Sequence, residues 1–128
     1  CYERYASATA LVKMVSEIDP SLTNGRQIFA NLERPEIKAV VNKWIDEIVL
    51  GLTTLIHIFN PSCIVLGGGI MVQPYILEQI NTRIPQMVMA SFSHVQISSA
   101  KLGNSAGLLG AYYLAAQKFE MSDLSDKK

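Results

Sequence analysis

The stretch "SCIVLGGGIM", Ser62 to Met71, decides how this chain is read. Cys63 to Leu66 is a short apolar run containing the β-branched residues Ile64 and Val65. Such a run predicts a strand buried on both faces, as in a parallel sheet. Three glycines follow at once, Gly67, Gly68 and Gly69. They admit three readings. A tight turn from strand to helix uses glycine for positive φ, though one glycine usually suffices. A dinucleotide fingerprint needs G-x-G-x-x-G at the start of a helix. Here Ile70, Met71 and Val72 follow the run, so its third glycine is missing. The remaining reading is a backbone platform, a strand end stripped of side chains where a planar or phosphate-bearing ligand lies against the main chain.

Working outward, "VQPYILEQI" after the run places Pro74 at the start of a helix to about Arg83, with a second short helix over Pro85–Ser91. "HVQISSAKL" alternates Val95, Ile97 and Ser99 against Gln96 and Ser98, which predicts a second strand. Strand–helix–strand implies a right-handed parallel crossover. Before the run lies the longest periodic segment, from Pro35 to Phe59, closed by Asn60-Pro61. Its second half is apolar nearly all round, which predicts deep burial. Tyr2 to Ile18 has helical spacing, "DPSLTNGRQ" breaks it, and "RQIFANL" reads as a short helix. At the other end "NSAGLLGAYYLAAQKF" is a helix rich in small residues, followed by a polar tail. Two strands are too few for a stable sheet, so other chain must complete it.

The 128 residues suit one domain with a modest core. Eleven basic residues balance eleven acidic ones, which gives no electrostatic case for nucleic acid or a membrane surface. No apolar run is long enough to span a bilayer. The two cysteines, Cys1 and Cys63, form no framework pattern, and Cys63 in its apolar strand reads as a buried, inert thiol. His57 reads as packed on its helix and His94 as the start of the second strand. Because the chain opens at Cys1 and is already helical there, it reads as a piece of a longer protein.

Three segments in order, "CYERYASATALV", "IFNPSCIVLGGGI" and "LGNSAGLLGAYYLA", resemble the carboxyl-terminal half of the ROK family of bacterial sugar kinases and repressors. The resemblance implies an α/β fold, part of an actin/hexokinase-like (ribonuclease H-like) carboxyl-terminal lobe, helix-rich with about two parallel strands. Residues 1–120 would be that lobe and 121–128 a polar tail. The glycines Gly67, Gly68 and Gly69 match the family's adenosine-contacting motif, which favours the platform reading. Cys1 and Glu3 match the last cysteine and the glutamate of a zinc motif, C-x-C-G-x-x-G-C-x-E. The resemblance therefore implies that Glu3 contacts sugar hydroxyls. Read by itself, Glu3 is an acidic residue in a first helical turn, where the dipole favours it. Cys1 alone cannot hold zinc, since a structural site needs four ligands.

The family's "DxGGT"-type phosphate loop and catalytic aspartate do not occur here. The implied function is the carboxyl-terminal part of an ATP-dependent kinase of the glucokinase, fructokinase or glucoside kinase type. Such a kinase uses ATP with magnesium, and structural zinc is possible in the intact protein. The fragment alone is expected to hold no cofactor and to be inactive. The competing reading is the sugar-sensing half of a repressor, which would make nucleic acid a partner of the intact protein. The unbroken "LGGGI" favours the kinase. A homo-oligomer in the cytoplasm, without membrane contact, is expected. Gly107 and Gly110 in the last helix would suit close helix contact near an interdomain hinge.

Overall fold

The computed structural model describes residues 1–125, with the side chains at 104 and 119–125 outside that description. Ser7 divides the first predicted helix into α1 (Glu3–Ala6) and α2 (Ala8–Ser16). Its backbone is extended, with φ −79° and ψ 160°, and its hydroxyl accepts the Ala10 N–H at 3.1 Å. A serine cap in front of "ATAL" is the local signal that apolar spacing alone overlooks. After a turn through Pro20 comes α3 (Gly25–Phe29), capped by the Asn24 side chain.

The axis of the fold is α4 (Pro35–Phe59). Pro35 sits in its first turn, where a missing N–H costs nothing. Asn60 ends it in the left-handed region at φ 44°. One side of α4 buries Ile37, Val41, Trp44, Ile45, Ile48, Val49, Leu52 and Ile56 against α1, α2 and a later helix, Pro74–Met87. The opposite side is open. Leu50, Leu55, Ile58 and Phe59 are exposed, so the expected deep burial of the second half holds for one face only. The reason is that the described elements pack on α4 from one side.

Strand β1 (Cys63–Leu66) pairs in parallel with β2 (Gln96–Ser99), register Cys63 with Gln96 and Leu66 with Ser99. The crossover between them is α5 (Pro74–Met87). The periodic isoleucines Ile76, Ile80 and Ile84 of α5 are buried, and so is Ile97 of β2. The two-strand parallel crossover is therefore as expected. The burial of β1 is not. Its residues alternate exposed and half-buried, and Cys63 is an exposed free thiol. Among the described residues only one face of β1 meets the core. The buried-thiol and two-face expectations are corrected accordingly.

Pro85 also behaves differently from expectation, lying inside α5 instead of separating two helices. Ile80 and Ile84, which precede the missing N–H, are buried, and Arg83 ties this turn to α4. That packing offsets the backbone cost of a proline near a helix end. A short 3-10 turn, Ala90–Phe92, replaces the predicted second helix. His57 packs edge-on against Phe92 and accepts the Met89 N–H, as its packed reading requires. His94 lies in the turn before β2, its Nδ1 3.2 Å from the Ser91 carbonyl.

The last helix, α6 (Ala106–Ser125), runs on through most of the polar tail, and residues 126–128 lie outside the described residues. Its Leu108, Leu109, Tyr112, Tyr113 and Leu114 are exposed. A Cβ at Gly107 or Gly110 would meet nothing among the described residues. No described helix is long and apolar enough to cross a membrane.

A polar knot closes the segment between α2 and α4. Asp19 accepts hydrogen bonds from the Ser21 hydroxyl at 2.6 Å and from Arg34 at 2.6 Å. Arg34 also reaches Glu36 at 2.9 Å. The Ser21 hydroxyl, then the Arg34 guanidinium, hold the Asp19 carboxyl down at about 2. A carboxyl lowered on folding stabilises the fold above its unfolded value of 3.8 and loses that contribution as pH falls toward about 2. The melting temperature should therefore drop between these two pH values, and Asp19→Asn should flatten that part of the curve. An identical acid profile in Asp19→Asn would remove Asp19 from the account of acid stability.

Candidate functional site

The site is built at the carboxyl ends of the two parallel strands, where ligands of open α/β sheets bind. After Leu66 the chain emerges as Gly67 and Gly68, then turns through a 3-10 helix, Gly69–Val72. Gly68 has φ 110° and ψ 152°, a backbone that L side chains rarely adopt. Gly67 is different, for its φ is not positive and an added Cβ would meet open space. The turn reading thus explains Gly68 and leaves Gly67 unexplained. All three glycines are exposed.

The run borders three recesses. One of about 170 Å³ lies between it and the segment after β2, lined by Ser99, Ala100, Lys101 and Gly103. A second, of about 630 Å³, joins Gly69 and Ile70 to Asn24, Arg26 and Gln27 before and within α3. A Cβ at Gly25 would sit 3.3 Å from the end of the Ile70 side chain, a tight contact that a small shift of Ile70 relieves. The third, of about 420 Å³, runs from all three glycines to Tyr2, Ala6 and Ser7, with Trp44, Ile48 and Leu52 of α4 behind it. Trp44 holds this wall in place. It is fully buried, and its Nε1 donates to the Ser7 carbonyl at 2.9 Å.

Folding therefore brings the turn that carries Cys1 and Glu3 to the same recess as the glycine run, across more than sixty residues of sequence. Glu3 itself is exposed and lines a neighbouring depression of about 320 Å³ with Arg4, Ser7, Thr9 and Lys13. Cys1 is exposed and free. Among the described residues no three His, Cys, Asp or Glu side chains gather into a metal-binding group, so Cys1 finds no set of zinc ligands here. What the arrangement offers is binding surface, namely main-chain donors and acceptors, apolar walls and one carboxylate.

Sequence reasoning missed two contributors. Tyr2 and Gly51 fit each other, the Tyr2 ring lying where a Gly51 Cβ would be. The Asn24–Gln27 segment faces the glycine turn across the larger recess of about 630 Å³. A glycine in mid-helix was a visible signal for the first, and nothing in the sequence marked the second.

Several known proteins are similar to this chain in sequence and fold. A beta-glucoside kinase of Listeria innocua is 37% identical over 93 residues, covering 70% of this chain and 30% of its own. An N-acetyl-D-glucosamine kinase of Yersinia enterocolitica is 28% identical over 120 residues, covering 92% of this chain and 40% of its own. The fold superposes on a ROK family glucokinase of Streptomyces griseus, solved in complex with glucose and AMPPNP, with TM-score 0.78 and 26% identity. That match covers 91% of this chain and 45% of the glucokinase. A ROK hexokinase of Thermus thermophilus gives TM-score 0.73 at 25% identity, over 91% of this chain and 42% of its own. The chain thus spans less than half the length of these relatives. The ROK family profile matches residues 1–118, and the chain belongs to the ROK family.

Proposed function

We propose that this chain is the carboxyl-terminal lobe, residues 1–120, of an ATP-dependent sugar kinase that phosphorylates a hexose or a glucoside. The observation that carries the reading is the exposed glycine run at the carboxyl ends of parallel strands, in a fold like that of a glucokinase solved with glucose and AMPPNP. Gly67, Gly68 and Gly69 take the adenosine part of ATP against bare main chain. Glu3 accepts hydrogen bonds from sugar hydroxyls. Magnesium would enter with the nucleotide and would supply neutralisation of phosphate charge. A general base that reaches the attacking hydroxyl is also required. We assign it to chain beyond these residues, in a full-length protein that works in the cytoplasm.

Two assays test the reading. The full-length protein carrying this chain should consume ATP with at least one of glucose, N-acetylglucosamine or a β-glucoside, giving the sugar phosphate. The 128-residue chain alone should give no turnover with any of them. Clear phosphorylation by the isolated chain would show that the base lies within it. A full-length protein that binds sugar but neither binds nor uses ATP would replace the kinase by a sugar sensor.

A further inference from the structure

The shortest of the described α-helices, α1, buries none of its residues. A four-residue helix has too few hydrogen bonds to hold its own place. It is nevertheless seated against α4. The seat is Gly51. The Tyr2 ring lies over Gly51, so that a Cβ there would overlap the ring carbons and hydroxyl. The hydroxyl donates to the Ile48 carbonyl at 3.2 Å. Tyr2 as a whole stays about half exposed, at 52%; the partial burial of its phenol, then the Glu47 charge, push that group upward.

Gly51 stands in the middle of a 25-residue helix, where glycine is less favourable than alanine. Helix propensity gives no reason for it, whereas the room that it leaves for Tyr2 does. Consecutive residues on a helix point about 100° apart. With Tyr2 fixed toward α4, Glu3 is directed to its own depression beside Ser7 and Lys13.

We propose that Tyr2, seated on Gly51, is a positioning residue that fixes the direction of Glu3 toward a sugar. This rests on the sugar-binding reading of Glu3. Tyr2 acts through the turn and takes no part in chemistry. The opposing demands at Gly51 make the proposal testable. Alanine there suits the helix and displaces the flexible ring, so stability and sugar binding should part company.

The test uses the full-length protein, with glucose and N-acetylglucosamine affinities by calorimetry and AMPPNP affinity measured in parallel. Gly51→Ala and Tyr2→Ala should each weaken sugar binding about tenfold, the scale expected when a binding group is misplaced by a fraction of an ångström. Gly51→Ala should keep or raise the melting temperature, and AMPPNP affinity should fall less than sugar affinity does. Tyr2→Phe keeps the ring and should restore sugar affinity. Glu3→Gln separates the two ideas. If it weakens sugar binding while Gly51→Ala does not, the positioning role is wrong and the reading of Glu3 stands. If Glu3→Gln has no effect, both fall. If Gly51→Ala loses melting temperature in step with sugar affinity, Tyr2 is merely structural and the proposal is overturned.

Discussion

Gly67→Val in the full-length protein is expected to lower nucleotide affinity roughly tenfold to a hundredfold, corresponding to the ~1–3 kcal/mol that an unrelieved steric clash costs. Sugar affinity without nucleotide should hardly change. The position matters because a Cβ at Gly67 meets no protein atom and needs no positive φ. A branched side chain there fills only the space assigned to adenosine. Gly68→Val should weaken binding as well, but for two reasons at once. Its φ of 110° strains any side chain, so the loop itself would move. Titration with AMPPNP, with a melting curve for each variant, separates these effects. Unchanged nucleotide binding in a folded Gly67→Val protein would return the run to a plain turn.

Trp44→Ala should be the most damaging single change to the fold. The side chain is 1% exposed and is the largest in the core. Removing a buried tryptophan costs about 3–5 kcal/mol, a large part of the roughly 5–15 kcal/mol that holds a typical domain together. It also removes the donor to the Ser7 carbonyl, so the junction of α1 and α2 loses its tie to α4. Trp44→Phe keeps most of the volume and gives up that hydrogen bond, which should cost roughly 1 kcal/mol plus a smaller packing loss. Denaturant midpoints for the two variants check this. A Trp44→Ala protein as stable as the parent would mean that the wall behind the recess can collapse without loss.

The strong periodicities were legible. The long helix with Pro35 at its start and Asn60-Pro61 at its end, the crossover β1–α5–β2, and the glycine run at a strand end all lie where the sequence puts them. The departures have local causes. Ser7 breaks a periodic helix because its hydroxyl and carbonyl are engaged by Ala10 and Trp44, and the second of these is a tertiary contact. Pro85 stays within α5 because neighbouring isoleucines are buried and Arg83 grips α4. Cys63 and the far side of α4 are exposed because apolar pattern reports what a face favours and not which chain covers it. Within the site, Gly67 to Gly69 were legible as a motif and Glu3 only through family resemblance. The seat of Tyr2 on Gly51 joins residues 49 positions apart; the mid-helix glycine marks one half of it, and no local pattern names its partner.

The central claim is that adenosine lies on the bare main chain of Gly67, Gly68 and Gly69. A crystal structure of the full-length protein with AMPPNP and its sugar tests this most directly. The account predicts adenosine atoms in van der Waals contact, within about 4 Å, of that main chain. A well-ordered nucleotide bound elsewhere, with the glycine run open to solvent, would contradict it.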